Sequence, residues 1–323
     1  MSKAVRFHKT GGAEVLQVED VPVGEPGPGE ARIRHIAIGV NFVDTYQRSG
    51  LYPTQLPAVA GNEAAGVVEA VGAGVTDIKA GDRVAYTGLV GAYCEKRIAP
   101  ADRLVKLPDG ITEEQAASML LKGLTVHYLI FTTYPVKKGE TVLWHAAAGG
   151  VGLIACQWLK ALGVTVIGTA GSEEKLALAK AHGAEHVINY SKESFVDRVK
   201  AITGGKGVPV VYDGVGKTTW DGSLDCLQPR GMWVSFGSAS GPVPAFDILL
   251  LAQKGSLFAT RPTLYTHIAK REDLAAMAAE MFDLVRTGKI VSEPRQTFAL
   301  KDAANAHRAL ASRATTGATV LLP

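Results

Sequence analysis

The chain has 323 residues, of which 47% are hydrophobic and 20% charged, and its 34 basic and 31 acidic side chains leave a formal net charge of +3. This length exceeds what one hydrophobic core usually spans, so we expect two domains. The hydrophobic content is that of a folded protein, so we expect no disorder. Because the charges are interspersed, we expect no polybasic surface for nucleic acid or membranes. The three cysteines form no CxxC pair and the N-terminus has no apolar signal segment, a pattern typical of a cytoplasmic protein without disulfides or a sulfur-rich zinc site.

The N-terminal third of the chain predicts a β-rich, irregular domain. Short apolar or alternating runs, such as Ala31–Val40 and Ala64–Val71, are each followed by turn residues. The pattern changes from Glu114 onward, where Gln115–Ile130 carry apolar residues at helical spacing.

Beyond Pro135, strands alternate regularly with helices. The strands are predicted at Thr141–Ala146, Thr165–Thr169, His186–Tyr190, Val208–Asp213, Met232–Gly237 and Ser256–Arg261. The first helices between them are predicted at Val151–Leu162, Glu173–His182 and Phe195–Ile202. Six strands in this alternation predict a doubly wound dinucleotide-binding fold. The remaining chain predicts helices at Arg271–Thr287 and Lys301–Ser312, and a final strand at Ala318–Leu322.

The segment from His145 to Gly152 reads HAAAGGVG and lies between a predicted strand and a predicted helix. Compared with the GxGxxG pattern, Ala147 replaces the first glycine, whereas Gly149 and Gly152 are present. Gly149 would let phosphates approach the backbone at the helix N-terminus, and Gly152 would let the helix pack closely on the strand. A plain tight turn is the structural alternative, but the strand–turn–helix context favours a bound dinucleotide.

The second predicted strand indicates which dinucleotide is bound. It ends in Thr169-Ala170 without the Asp or Glu that binds both ribose hydroxyls of NAD, so NADPH is favoured. Gly171, Ser172 and Lys175 follow at a helix start, where a hydroxyl, backbone donors and an ammonium suit a 2′-phosphate, and Tyr190 would complete that pocket. The alternative for Lys175 is a solvated lysine on the helix surface.

A second glycine pattern, Gly61-Asn-Glu-Ala-Ala-Gly66, resembles the signature of the medium-chain dehydrogenase/reductase superfamily. In its zinc alcohol dehydrogenases, the residue between the first glycine and the glutamate is a metal-binding histidine. Here it is Asn62, a poor zinc ligand, and the four closely spaced cysteines of the structural zinc lobe are missing. We therefore expect no metal site.

Three further motifs narrow the resemblance: Asn41–Pro53, Leu121–Thr125 and Val234–Gly237. With the His145 segment, they resemble the zeta-crystallin-like quinone oxidoreductase family along nearly the whole chain. The resemblance implies an α/β protein with a GroES-like β-rich catalytic domain and a Rossmann domain with a six-stranded parallel sheet. The catalytic domain would comprise residues 1–122 and 265–323 and the NADPH-binding domain residues 123–264. An interdomain cleft and a homodimer joined through the Rossmann sheets are also implied.

The resemblance also implies site residues by matching position. The catalytic candidates are Asn41, Tyr46 and Tyr52. The cofactor-binding candidates are Asn41, Phe42, Tyr46, Thr125, Gly149, Gly150, Val151, Gly171, Ser172, Lys175, Tyr190, Phe236, Gly237, Ser238 and Arg313. Each has a structural alternative: Asn41 and Thr125 as local caps, Phe236 as a core residue, and Arg313 as one half of a surface ion pair.

Hydride transfer from NADPH to a quinone is the favoured reaction, since a dinucleotide cofactor without metal ligands requires an acceptor that needs no strong Lewis acid. Reduction of α,β-unsaturated ketones or aldehydes is the enzymatic alternative. An NADPH-binding protein with an RNA-binding or structural role is disfavoured by the balanced charge and by the lack of a basic–aromatic platform. The sequence leaves open the physiological acceptor, one-electron or two-electron reduction, Tyr46 or Tyr52 as proton donor, and the oligomeric state.

Overall fold

A computed structural model describes all residues from Met1 to Pro323. The chain divides into two compact units. Unit 1 comprises Met1–Leu124 and Ile268–Pro323, and unit 2 comprises Thr125–His267.

The elements are numbered in chain order. The strands are β1 Ser2–Phe7, β2 Gln17–Val21, β3 Glu30–Val40, β4 Ala58–Val59, β5 Glu63–Val71, β6 Arg83–Thr87, β7 Lys96–Pro100, β8 Val105–Lys106, β9 Thr141–Trp144, β10 Thr165–Ala170, β11 His186–Asn189, β12 Val208–Asp213, β13 Leu227–Ser235, β14 Phe258–Thr260, β15 Pro294–Ala299 and β16 Ala318–Leu322. The helices are α1 Phe42–Ser49, α2 Glu113–Tyr128, α3 Gly150–Ala161, α4 Glu173–Ala181, α5 Phe195–Ile202, α6 Trp220–Asp225, α7 Leu249–Gln253, α8 Leu264–His267, α9 Arg271–Arg286 and α10 Ala303–Ala311.

Unit 1 is β-rich, as predicted. Its larger sheet has the order β15-β16-β3-β5-β6-β8, with β7 also paired to β3, and a smaller sheet has the order β2-β1-β4. The long strand β3 pairs antiparallel with β5, β7 and β16, so the C-terminal strand is built into the N-terminal sheet. Burial alternates over the first half of β3 and places Ala31 and Ile33 in the core, because successive side chains of a strand point to opposite faces. Beyond the register shift between His35 and Ala37 all residues up to Val40 are buried, and Ile38 also belongs to the core.

Unit 2 contains the predicted six-stranded parallel sheet, with the order β11-β10-β9-β12-β13-β14. This order reverses at β9, and in sheets of this kind ligands bind at the carboxyl ends of the strands where the order reverses. Gly163 and Gly183 follow α3 and α4 at φ 72° and 110°, so glycine makes the left-handed turn that ends each helix. The β9–α3 turn therefore lies at the expected binding edge.

The structure differs from the predicted elements at the ends of several elements and in its short helices. The first strand of unit 2 ends at Trp144 rather than at Ala146, because Ala146 has a left-handed φ of 54° that a strand cannot accommodate. The helices α6, α7 and α8 were not predicted, since segments of six residues or fewer show too little periodicity to be recognised, and the eight-residue helix α1 was not predicted either. No helix combines the length and the apolar character needed to cross a membrane.

Candidate active site

The turn between β9 and α3 has the geometry of a phosphate-binding loop. Gly149 is the N-cap of α3. A Cβ on Gly152 would lie 2.5 Å from the carbonyl oxygen of Ala146, so only glycine lets the helix begin this close to the turn. The first N–H groups of a helix, here those of Gly150 and Val151, have no acceptor within the helix and can bind an anion.

A buried hydrogen-bond network fixes the strand end that leads into this turn. His145 Nε2 lies 3.0 Å from Ser223 Oγ, and His145 Nδ1 lies 2.9 Å from Thr169 Oγ1. Ser223 Oγ in turn donates to Asp213 Oδ2 at 3.2 Å. Burial lowers the pKa of His145. His145 thus links the carboxyl ends of β9, β10 and β12.

The candidates for the 2′-phosphate lie together at the start of α4. Ser172 is the N-cap of this helix, and its Oγ accepts a hydrogen bond from the Lys175 backbone N–H at 3.4 Å. A Cβ on Gly171 would lie 2.8 Å from the Tyr190 hydroxyl oxygen, so the phenol lies directly beside this glycine. The Tyr190 side chain is 40% exposed and therefore accessible to a ligand.

One of the two glutamates near this pocket, Glu173, is already paired. β10 ends in the buried residue Ala170, without an acid. The Glu173 carboxylate accepts a hydrogen bond from Asn189 Nδ2 at 2.7 Å and lies 2.9 Å from Lys192 Nζ. Because Lys192 already pairs with the Glu173 carboxylate, this carboxylate repels an anion beside Lys175 less than an unpaired glutamate would.

An arginine holds the segment of Phe236, Gly237 and Ser238 that follows β13. Arg261 Nη1 donates to the Gly237 carbonyl oxygen at 2.8 Å, and its Nη2 donates to Ser238 Oγ at 3.3 Å. The Phe236 ring packs against Trp144, with 5.6 Å between the ring centroids. Phe236 thus packs on unit 2 and remains partly exposed, so its contact with a cofactor stays a prediction.

In unit 1, Asn41 is fixed by a buried glutamate. Asn41 is the N-cap of α1, and its Nδ2 donates to Glu63 Oε2 at 2.8 Å. Glu63 is fully buried, and its Oε1 accepts a hydrogen bond from the Leu121 backbone N–H at 2.6 Å. Lys122 Nζ lies 3.3 Å from the other oxygen of this carboxylate. The Leu121–Thr125 motif therefore supplies the partners that orient Glu63, and Glu63 orients the Asn41 amide.

The amide at position 62 is engaged in hydrogen bonds. Asn62 Nδ2 donates to Asp44 Oδ1 and to Gln47 Oε1, both at 2.7 Å. Asp44 Oδ2 accepts hydrogen bonds from the Tyr93 hydroxyl and from the Asn41 backbone N–H. Burial raises the pKa of Asp44 to about 6 against the effect of these bonds. No group of three or more His, Cys, Asp or Glu residues in the structure has an arrangement that could hold a metal ion.

Three aromatic candidates lie together on and after α1. The rings of Phe42 and Tyr46 are 6.1 Å apart, and those of Tyr46 and Tyr52 meet edge to face at 5.2 Å. The Tyr52 backbone N–H donates to the Tyr46 carbonyl oxygen at 3.0 Å. The structure thus brings Asn41 and these rings into one region of unit 1.

Thr125 and Arg313 lie elsewhere along the chain. Thr125 is a buried residue of α2 and the first residue of unit 2. Arg313 follows α10 in unit 1, with a left-handed φ of 57° and an exposed side chain. Their contacts with a cofactor stay predictions.

The residues that support the candidates were not predicted. They include Glu63, Lys122, His145, Asp213 and Arg261. A signal for two of them is present in the sequence: Glu63 directly precedes the apolar run Ala64–Val68, and Asp213 ends an otherwise apolar strand. A charged residue is rarely buried unless it is paired, so an acid beside such a run indicates a buried polar network.

Comparison with known proteins gives full-length matches. The family model described as the alcohol dehydrogenase GroES-like domain matches residues 27–109, and the model described as zinc-binding dehydrogenase matches residues 150–283. The chain is 57% identical to quinone oxidoreductase of Pseudomonas aeruginosa, over 100% of both chains. The crystal structure of Escherichia coli quinone oxidoreductase complexed with NADPH matches with a TM-score of 0.98 and 51% identity, covering 99% of this chain and 100% of that one. The 2-haloacrylate reductase of a Burkholderia species is 46% identical, over 100% of this chain and 99% of its own.

Proposed function

Because the chain belongs to the quinone oxidoreductase family of the medium-chain dehydrogenases and reductases, we propose that it uses NADPH to reduce quinones without a catalytic zinc ion. The observation that carries this proposal is the full-length match to an NADPH-bound member at 51% identity. Asn62 supports the zinc-independent reaction, since its amide nitrogen already donates to Asp44 and Gln47.

The residues of unit 2 fit NADPH. The N–H groups of Gly150 and Val151 would bind the pyrophosphate, with Gly149 leaving room for its approach. Ser172 and Lys175 would bind the 2′-phosphate through a hydroxyl and an ammonium. When bound, NADPH supplies the hydride that reduces the acceptor.

Gly171, Tyr190 and the segment of Phe236, Gly237 and Ser238 would complete the cofactor site in unit 2. The Tyr190 phenol beside Gly171 would border the 2′-phosphate pocket. Arg261 would hold the backbone of the segment after β13 in place for the nicotinamide ribose. Thr125 and Arg313 are further proposed cofactor contacts.

We propose that Asn41 and the aromatic residues of α1 act on the nicotinamide and the acceptor. The bond to Glu63 holds the Asn41 amide in one orientation, so its carbonyl oxygen has a defined direction. Phe42 and Tyr46 would provide apolar surface for flat rings, together with Tyr52.

The quinone takes up one hydride and one proton to become a hydroquinone, and Tyr46 or Tyr52 would donate the proton. Unchanged turnover and an unchanged pH profile in both Tyr46→Phe and Tyr52→Phe would rule out both phenols as donors.

A parallel titration tests the cofactor proposal. The purified protein is titrated with NADPH and with NADH, and nicotinamide fluorescence gives both dissociation constants. We expect Lys175→Ala to weaken NADPH binding by roughly tenfold, because one charge-assisted contact with the phosphate is lost, and to leave NADH binding unchanged. The exposed Lys180 of the same helix provides the matched control, Lys180→Ala. Equal binding of NADH and NADPH by the unaltered protein would overturn the 2′-phosphate pocket.

A second reaction is reduction of an electron-poor carbon–carbon double bond. The observation that favours it is the full-length, 46% identical relative named 2-haloacrylate reductase. Turnover of 1,4-naphthoquinone, 9,10-phenanthrenequinone and simple enones under identical conditions separates the two. Higher kcat/KM for the enones would make the double-bond reduction the main activity.

A homodimer is proposed from the open edge of the unit 2 sheet. The edge strand β14 and the segment before it carry exposed apolar side chains: Phe258 is 56%, Ile248 77% and Leu249 55% exposed. Unpaired edges with apolar side chains favour pairing with a second copy. Light scattering should give twice the chain mass, and Phe258→Glu should reduce it. A monomer at micromolar concentration would contradict this proposal.

A cytoplasmic location is proposed from the cysteines. Cys94, Cys156 and Cys226 are all buried and free, as expected in a reducing compartment. Cell fractionation tests this location, and recovery of the protein outside the cytoplasmic fraction would contradict it.

A further inference from the structure

A cavity of about 590 Å³ lies within unit 1. Its walls come from Val21–Val23 at the end of β2, from Pro53–Gln55, from β4, from the loop around Val90 and from Lys96–Ile98 in β7. This volume falls within the range of about 300–1,000 Å³ typical of small-molecule sites. None of the lining residues is among the cofactor candidates.

The charge on the cavity wall has one sign. Lys96 and Arg97 line the cavity, and no acidic residue does. Arg97 Nη1 donates to the Leu89 carbonyl oxygen at 3.1 Å, and its guanidinium lies 5.4 Å from the centre of the Tyr86 ring. Arg97 forms no ion pair with a carboxylate. Its guanidinium is therefore held in place while its charge is not neutralised.

The second cation shares its partner with two others. Lys96 Nζ lies 2.7 Å from Glu69 Oε1, and the same carboxylate lies 3.3 Å from Arg32 Nε and 3.7 Å from Arg34 Nε. Arg32 also pairs with Glu25 at 2.6 Å, so two carboxylates serve three positive charges. The wall beside Lys96 keeps a surplus of positive charge, which favours an anion in the cavity.

The other walls are mostly apolar, including Pro22, Val23, Val59 and Ile98. Thr54, also on the lining, has a buried Oγ1 without a hydrogen-bond partner, which is where a water or ligand atom is expected. We propose that this cavity binds a small organic anion with an apolar body, whose carboxylate pairs with the Arg97 guanidinium. A planar guanidinium matches a carboxylate with two parallel hydrogen bonds.

The test uses 2-naphthoate as the probe and the neutral 2-naphthamide as its matched control. Calorimetric titration into the full-length protein, saturated with NADPH, keeps the cofactor site filled. We expect one molecule of 2-naphthoate to bind per chain. The amide and the Arg97→Gln variant should both give roughly tenfold weaker binding, because one charge-assisted contact is lost in each.

Two further variants separate a loss of the site from a loss of the fold. Val90→Trp places a large side chain at an exposed loop position on the lining and should also weaken binding by roughly tenfold, with circular dichroism and NADPH affinity unchanged. Arg295→Gln, at an exposed arginine of unit 1 outside the cavity, should bind as the unaltered protein does. The proposal is overturned if 2-naphthamide binds as tightly as 2-naphthoate, or if either Arg97→Gln or Val90→Trp binds 2-naphthoate with unchanged affinity. Displacement of 2-naphthoate by 1,4-naphthoquinone would also overturn it.

Discussion

Alanine at Gly149 and at Gly152 should separate phosphate binding from helix packing. In Gly152→Ala the new Cβ would lie 2.5 Å and 2.6 Å from the carbonyl oxygens of Ala146 and Ala147. Backbone atoms cannot rotate away, so α3 must move. Overpacking of this kind costs about 1–3 kcal/mol in the free energy of unfolding.

Gly149→Ala is the matched variant. Its new Cβ has only one near neighbour, the Ala146 carbonyl oxygen at 3.2 Å, and its φ of −76° is ordinary for alanine. The weaker N-cap preference of alanine costs at most about 1 kcal/mol. The methyl group would, however, occupy the space through which the phosphates approach the backbone. We expect roughly tenfold weaker NADPH binding with nearly unchanged stability.

Urea unfolding followed by tryptophan fluorescence reports on the unfolding of unit 2, because all 4 tryptophans, Trp144, Trp158, Trp220 and Trp233, lie in that unit. NADPH titration of the same samples gives the affinity. Gly152→Ala should lower both the urea midpoint and the affinity, whereas Gly149→Ala should lower the affinity and reduce the stability by no more than about 1 kcal/mol. Normal NADPH binding by Gly149→Ala would refute a pyrophosphate at this turn, and a normal urea midpoint for Gly152→Ala would refute the packing limit.

Three other predictions concern the buried polar groups. Glu63→Gln leaves the Lys122 ammonium without its carboxylate and should cost about 3–5 kcal/mol in the free energy of unfolding, followed by circular dichroism of the whole chain; adding Lys122→Met should recover most of this loss, and a stable single variant would contradict the pairing. Burial lowers the pKa of His35 to about 4 from 6.5, so the folded chain binds this proton less readily than the unfolded chain. The contribution of His35 to stability should therefore fall by about 3 kcal/mol as the pH drops from about 6.5 to about 4, and His35→Asn, measured beside the unaltered protein, should lack that loss; parallel pH curves would contradict it. Asp213→Asn weakens the hydrogen bonds that this carboxylate accepts from Thr219 and the neighbouring donors. It should reduce the free energy of unfolding by about 1–3 kcal/mol and so lower the urea midpoint. An unchanged midpoint would show that the network is dispensable.

The elements that could be predicted are those that local patterns determine. The bounds of α5, β12 and β16 agree with the prediction to the residue. Each has a strong local signal: Ser194 caps α5 by accepting a hydrogen bond from the Asp197 N–H, and β12 and β16 are short apolar runs with turn residues before them. The start of β13 at Leu227 was not predicted, because Pro229, Arg230 and Gly231 interrupt the apolar pattern. The strand continues through this interruption, with Arg230 at a left-handed φ of 63°.

The contacts of the candidate site could not be predicted in the same way, because they join residues far apart in the chain. Asn41 and Glu63 are separated by 22 positions, and His145 and Ser223 by 78. A glycine pattern reports a local backbone requirement, whereas a hydrogen bond across such distances depends on the strand order. The sequence therefore indicates which residues could contact a ligand. It indicates less readily which other residues hold those candidates in position.

The Leu121–Thr125 motif shows that a family resemblance does not by itself mark ligand contacts. Its Leu121 N–H and Lys122 ammonium bind Glu63, and a Cβ on Gly123 would lie 2.6 Å from the Met281 sulfur. Three of its five residues thus serve the packing of unit 1 and the orientation of a buried carboxylate. Substitutions at these three positions should mainly lower the free energy of unfolding. They should affect reduction of the acceptor only indirectly, by changing how Glu63 orients Asn41.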